Sequence, residues 1–251
     1  MSATQPQPDV AAGYAALAGA YHSAGEHVDA ETWWRRALAG DDSVVGAHVG
    51  LARTLAALGR LDEAEGHLRR ALALDPLCDE AARIYAEICR WQGRLSEAAK
   101  LFLSAIVRGA AGAVLLGYAE LTWALGAVDD AEKHYKRALH HADVSAEACA
   151  DLGVLLVTRS RPDEAEPHLR RAADELGCAV SLTNHANVLV ELGRSDEAAL
   201  RFREALAVDP GCAEALWGLA ELETEQGHTT SAADLRRRAV DLRPGIAGRC
   251  R

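Results

Sequence analysis

VGAHVGLARTLAALGRLDEAEGHLRRALALDPLC, residues 45–78, runs directly into DEAARIYAEICRWQGRLSEAAKLFLSAIVRGAA, residues 79–111. Laid over one another, the two stretches place Ala52 on Ala86, Gly59 on Gly93, Ala64 on Ala98 and Ala71 on Ala105. The match continues in both directions. Glycines at 25, 59, 93, 126, 193 and 227 recur at intervals of 34, 34, 33, 67 and 34, and Ser160 divides the long interval into 34 and 33. Taking this residue as the fifteenth of each unit, seven units begin at Ala11, Val45, Asp79, Gly112, Ala146, Ala179 and Ala213. Position eight is then Ala18, Ala52, Ala86, Ala119, Gly153, Ala186 and Ala220; position twenty is Ala30, Ala64, Ala98, Ala131, Ala165, Ala198 and Ala232; position twenty-seven is Ala37, Ala71, Ala105, Ala138, Ala172, Ala205 and Ala239. Three small-residue positions held in all seven units mark an internal repeat.

The residues between these positions favour helix. Alanine and leucine dominate, aromatics are 5% of the chain, and β-branched runs bounded by turn residues are nearly absent. Small residues at three fixed positions let helices approach closely, while bulky residues fill the remaining space. Position seven holds Leu17, Leu51, Tyr85, Tyr118, Leu152, His185 and Leu219; position twenty-four holds Trp34, Leu68, Phe102, Tyr135, Leu169, Phe202 and, out of pattern, Arg236. Glycine at fifteen suits the left-handed conformation that ends a helix. Acidic and hydroxyl pairs such as Asp62-Glu63, Ser96-Glu97 and Asp163-Glu164 follow it, and are expected to cap the second helix and complement its dipole.

This pattern resembles the tetratricopeptide repeat, a pair of antiparallel helices with a period of 34 residues. The resemblance covers residues 11 to about 244, with the closing proline present only as Pro76, Pro210 and Pro244. It implies an all-α fold: a right-handed superhelical solenoid of seven helix-turn-helix repeats over 11–244, after an unstructured lead at 1–10 and before a short tail at 245–251. Two short units, 79–111 and 146–178, exit through Gly109 and Gly177 in place of Asp-Pro. Arg236, Arg237 and Arg238 give the last unit the polar face that a terminal repeat needs.

Charge and cysteines narrow the function. Lys+Arg is 27 and Asp+Glu is 37, giving −10, and scattered basic residues on an acidic chain argue against a nucleic-acid partner. The positive charge is nearly all arginine, with lysine only at 100, 133 and 136, which suggests a GC-rich bacterial source. The opening MSATQPQPDV lacks a basic start and an apolar core. Residues 109–128 are apolar apart from Glu120, but four glycines and the repeat register interrupt them, so no membrane span is expected. Six cysteines form no CxxC pattern. Cys89 and Cys149 fall at core positions, while Cys78, Cys178 and Cys212 each end a repeat, and equivalent positions even in neighbouring repeats are too far apart to bridge. A reduced, cytoplasmic protein without metal or cofactor is the expectation. There is no phosphate loop, nucleophile elbow or HExxH.

In the resembled family the first helices line a concave groove. Positions two, five, nine, twelve and thirteen point away from the packing face, and the resemblance makes these the groove. Read along the chain, they offer small residues and His22, then a basic and aromatic zone of Arg53, Arg83, Arg90, Trp91 and Trp123 among Glu80, Glu87 and Glu120. An apolar floor of Leu116, Val154, Val157 and Val190 follows, and then an acidic end with Glu214, Glu221 and Glu225 around Trp217. Asn184 and Asn187, the only asparagines, sit on the first helix of the sixth unit, where an amide can bond a peptide backbone. Two readings of the tryptophans stand at this point: binding anchors, with Trp91 and Trp123 adjacent, or rings packed over neighbouring helices. Asn184, at position six, is likewise open to a structural role. The leading expectation is an adaptor that holds a peptide or helix of another protein in the groove. Self-assembly is the alternative, and an enzyme or small-molecule binder the distant third.

Overall fold

The computed structural model describes residues 8–109 and 112–246. Among them are fourteen helices and no strand: α1 (Pro8–Ser23), α2 (His27–Gly40), α3 (Val45–Ala57), α4 (Leu61–Leu74), α5 (Asp79–Trp91), α6 (Leu95–Val107), α7 (Gly112–Ala124), α8 (Val128–Ala138), α9 (Ser145–Thr158), α10 (Pro162–Leu176), α11 (Ala179–Glu191), α12 (Ser195–Val208), α13 (Ala213–Glu225) and α14 (Thr229–Leu242). Fourteen helices fit seven two-helix repeats. The chain divides into two compact units, 1–127 with α1–α7 and 128–251 with α8–α14. The lead is shorter than expected, because residues 8–10 already belong to α1; residues 1–7 lie outside the described part. The most apolar helix, α7, has 13 residues, about 20 Å of rise against a ~30 Å hydrocarbon core. No helix among the described residues is long and apolar enough to cross a membrane.

Each turn from a first to a second helix closes the same way. In unit 1 the Gly59 N–H donates to Ala56 O at 3.0 Å and the Arg60 N–H to Leu55 O at 2.9 Å, the paired bonds of a Schellman motif. Such a pair requires the residue between to be left-handed, and Gly59 has φ 77°. Ser160 takes that place at φ 56° with the equivalent bonds, the one non-glycine with positive φ among the described residues. At the exits from α2, α4 and α12, the carboxylates of Asp41, Asp75 and Asp209 accept a backbone N–H two residues on, at 2.8–2.9 Å. The short repeats instead turn at Gly109 (φ 88°) and Gly177 (φ 60°), so the missing residue is absorbed in the joint.

The small positions are the closest-packed part of both units. Every alanine at positions eight, twenty and twenty-seven is at most 1% exposed. Two features of the packing lie outside the expected set. The first is a complement of sizes between consecutive repeats. Opposite three of the four aromatic rings at position twenty-four stand glycines at position six of the next repeat; after Tyr135 that position is Asp151. A Cβ on Gly50 would lie 2.3 Å from Trp34, one on Gly117 2.9 Å from Phe102, and one on Gly218 2.3 Å from Phe202. Where position twenty-four is leucine, as at Leu68 and Leu169, position six is Ile84 or Asn184.

The second feature is an ion-pair ladder, and it corrects the capping expectation. The residues that open α4, α6, α10 and α12 are Arg60, Arg94, Arg161 and Arg194, and none of these helices has a side-chain cap. The first-turn glutamates pair with those arginines instead, as in Arg60–Glu63 (2.6 Å) and Arg161–Glu164 (2.6 Å). Each arginine also reaches back to a glutamate of the preceding repeat: Arg60 to Glu31 at 2.8 Å, Arg94 to Glu65 at 2.5 Å, Arg161 to Glu132 at 2.8 Å and Arg194 to Glu166 at 3.2 Å. Burial opposes ionisation of Glu31 and Glu65, yet the arginine hydrogen bonds outweigh it and hold both below the usual carboxylate range. Glu132 accepts from Lys136, Arg159 and Arg161 at 2.7–3.0 Å and is likewise held low, chiefly by Lys136.

Three further placements depart from expectation. Leu17 is exposed, since no described helix precedes α1 to cover its side of position seven. The tail expected at 245–251 begins inside the fold, because Ile246 is buried against Ala213, Leu216 and Ala239; residues 247–251 lie outside the described part. Arg236 does not simply face solvent but lies over the Trp217 ring, 6.0 Å from its centroid. Cys89 and Cys149 are buried as expected, and burial pushes the Cys89 thiol up to about 11. Cys78, Cys178 and Cys212 are also free thiols, while Cys250 is outside the described residues.

Candidate functional site

In unit 1 the exposed faces of α1, α3 and α5 enclose a cavity of about 270 Å³. Arg53, Arg83 and Trp91 line it together with His22, His27, Ala56, Ala57, Ile84 and Glu87. Arg53 pairs with Glu80 at 3.3 Å and Arg83 with Glu87 at 2.5 Å. His22 Nδ1 lies 3.0 Å from Thr54 Oγ1, and its ring stands 5.0 Å from that of His27. Burial, with the nearby Arg53 and His27 adding to it, lowers the His22 pKa and keeps the ring neutral. Trp91 remains 59% exposed at the mouth, a large apolar surface that folding leaves uncovered. Trp123 is half-buried and is not among the residues lining this cavity; nor are Arg90, which pairs with Glu120 at 3.7 Å, and the half-buried Leu116. The expected basic and aromatic zone is thus gathered around Arg53, Arg83 and Trp91, toward the earlier repeats. His27 joins this zone from the start of α2, after the Gly25 turn and outside the first-helix positions that the repeat assigns to the groove.

In unit 2 the corresponding faces of α9 and α11 form a smaller cleft of about 160 Å³, walled by Val154, Val157, Thr158, Leu169 and Val188. Asn184 and Asn187 both line it, and neither amide bonds to another described residue. Val157 and Asn187 are shared with a larger cavity of about 840 Å³ that runs on to α13 and α14. Its lining includes Val190, Leu222 and Arg236, with Glu191, Glu221 and Glu225 as its carboxylates. Trp217 donates its indole N–H to Glu221 at 2.9 Å and packs, partly buried, against the cluster formed by Ala213, Leu216, Ala239 and Ile246. For Trp217 the packing reading is therefore the better description. Glu191 occupies position thirteen of its repeat, the position of Trp91, so the periodicity that singled out the tryptophan also pointed to the glutamate. No group of three or more metal-ligating side chains occurs among the described residues.

Comparison with known proteins agrees with the helical architecture. A tetratricopeptide repeat model matches residues 49–114, 115–177 and 183–245, and a second matches residues 11–36. No curated protein matches. Among solved structures, the chain superimposes on the anaphase-promoting complex hetero-tetramer Cut9-Hcn1 with a TM-score of 0.73 at 15% identity, covering 92% of this chain and 46% of that one. The chain therefore spans less than half of the length of that relative. Pseudomonas aeruginosa pilF gives a TM-score of 0.71 at 21% identity, covering 87% of this chain and 99% of that one. PilW, a type IV pilus biogenesis factor, gives 0.70 at 20%, covering 82% and 96%. Identities this low speak to fold alone. The repeat models account for most of the sequence, and the chain belongs to the tetratricopeptide repeat family.

Proposed function

We propose that this protein is an adaptor that holds a peptide or helical segment of another protein along the exposed faces of its first helices. Tetratricopeptide folds are in general protein–protein interaction scaffolds. The observation that carries the reading here is the cleft of unit 2, where two amides without internal partners stand over an aliphatic floor. An amide offers both a donor and an acceptor, and left unmatched above an apolar recess it suits the backbone of a bound segment. Trp91 in unit 1, exposed beside Arg53 and Arg83, is the corresponding anchor there, since tryptophans are enriched among the residues that dominate interfaces. Free thiols at five described cysteines fit a reducing, cytoplasmic setting.

The test is capture of partners from a cell extract on immobilised full chain, followed by measured affinity for the captured partner. Asn184→Ala with Asn187→Ala, and separately Trp91→Ala, should each weaken that affinity about tenfold or more, with the helical spectrum unchanged. Affinity that survives all three changes would place binding off the first-helix faces. Light scattering on the free chain distinguishes self-assembly, which would show as a concentration-dependent mass above 26.7 kDa.

A further inference from the structure

The two recesses of unit 2 say what kind of segment fits them. The smaller one, at about 160 Å³, has the liquid volume of about five waters at ~30 Å³ each, room for one aliphatic side chain of leucine or methionine size. It opens past Asn187 into the larger cavity, where the carboxylates of Glu191, Glu221 and Glu225 outnumber the single cation, Arg236.

Most other glutamates of unit 2 are matched, the exception being Glu147, which sits in the first turn of α9 where the helix dipole favours a carboxylate. Glu132, Glu164, Glu166 and Glu197 each pair with an arginine. Glu221 is taken by the Trp217 indole. Glu191 and Glu225 have no partner among the described residues. Each is moreover the last residue of its helix, α11 or α13. A helix C-terminus carries about half a negative charge from its unpaired carbonyls, so it favours a cation and disfavours a carboxylate. Two adjacent first helices therefore each end on the wrong sign of charge, at the same repeat position. Packed helices lie about 8–10 Å apart, close enough for one bound cation to feel both. A recess with low-dielectric walls concentrates that potential further.

We infer that the segment held by unit 2 is cationic as well as apolar: an aliphatic side chain seats beside Asn184 and Asn187, and an adjacent arginine or lysine lies between Glu191 and Glu225. This rests on the adaptor reading and specifies its ligand. The aliphatic floor supplies affinity, and the carboxylates select the sequence. An acidic segment would meet repulsion from two carboxylates and two helix ends at once.

The experiment is selection of a random peptide library on the immobilised full chain, with the enriched peptides then synthesised and their affinities measured. Enriched peptides should carry an excess of arginine or lysine next to an aliphatic residue. Their affinity should fall about twofold to thirtyfold on Glu191→Gln with Glu225→Gln, fall again as salt rises, and stay unchanged on the control Glu175→Gln. Neutral or acidic winners that lose affinity on Asn187→Ala but not on the glutamate changes would overturn the cationic assignment and leave the adaptor reading standing. Winners indifferent to both sets of changes, or a library in which nothing is enriched, would overturn the two together.

Discussion

Replacing Gly50 with alanine adds one methyl group in the middle of α3. At an open helix position that change stabilises by about 0.5–1 kcal/mol, because glycine loses more backbone freedom on folding. Here the new Cβ would lie 2.3 Å from Cζ2 and 2.6 Å from Cε2 of Trp34. Ordinary carbon contact is about 3.5–4.0 Å, so the ring or the helix must yield by roughly 1.2 Å. Trp34 is 7% exposed and sits between Ala30 and Ala37, both packed without free space. Overpacking of this kind costs about 1–3 kcal/mol, and after the propensity gain the net loss should be about 1–2 kcal/mol. Gly66 lies mid-helix in α4 with nothing within 4 Å of its would-be Cβ, so Gly66→Ala should move the other way. Denaturant unfolding followed by far-ultraviolet circular dichroism measures both. The slope of each transition reveals any separate melting of repeats. Adding Trp34→Leu to Gly50→Ala should recover at least half of the loss, since Leu68 and Ile84 already form the size-swapped pair in the next repeat. A Gly50→Ala midpoint raised as much as that of Gly66→Ala would show that the ring does not fill the hollow above the glycine.

Glu132→Gln should cost about 1 kcal/mol, because three cations lose their common carboxylate; thermal melts should show Glu164→Gln, a solvent-facing partner of one arginine, costing less. The folded-state pKa of Glu132 is depressed, so its stabilisation is present above the free-glutamate value, near ~4.3, and is lost as pH falls through the folded value. Melts taken down through that range should converge for wild type and Glu132→Gln. His185 is 3% exposed with neither ring nitrogen hydrogen-bonded, its Nε2 3.5 Å from Glu166. Leucine fills that repeat position at 51, 152 and 219, so His185→Leu should stabilise by about 1–2 kcal/mol. Burial, aided by Arg201, lowers the His185 pKa, so the unfolded chain binds the proton first and stability falls as pH drops below ~6.5. The leucine variant should show a shallower decline in melting temperature between neutral pH and ~5.5 than the wild type.

The fold was legible because its rules are local and recur seven times. Left-handed glycine at 59, 93 or 193 and buried alanine at 64, 98 or 198 are demands of a single turn or a single helix contact, and a period makes them visible. The ladder was harder to see because its partners sit in different repeats: Arg94 is a turn residue in one and Glu65 a helix residue in the previous one. The same holds for Gly50 opposite Trp34, where each residue taken alone looks like scatter. Binding faces were legible as positions but not as shapes. Arg53 and Trp91 share a cavity, whereas Trp123, one position earlier in its own repeat than Trp91, does not line it. Which rings fold back into packing, as Trp217 does, depends on neighbours such as Ile246 that lie outside the period.

The aromatic–glycine pairs also bear on how such a chain can be cut and rejoined. The Glu–Arg rung has the same chemistry at each joint where it occurs, so any two repeats carrying it are compatible there. The ring-and-hollow pair is confined to some joints: Trp34–Gly50, Phe102–Gly117 and Phe202–Gly218 carry it, and Leu68–Ile84 does not. A repeat ending in Trp34 can be followed by the one carrying Gly50, but the one carrying Ile84 would meet the indole with a branched side chain. Duplication or grafting at the repeat boundary would therefore part matched surfaces. A splice at the left-handed turn, moving a block such as 60–93, would carry Leu68 and Ile84 together and preserve their fit. The unit of exchange in this protein is the second helix of one repeat joined to the first helix of the next.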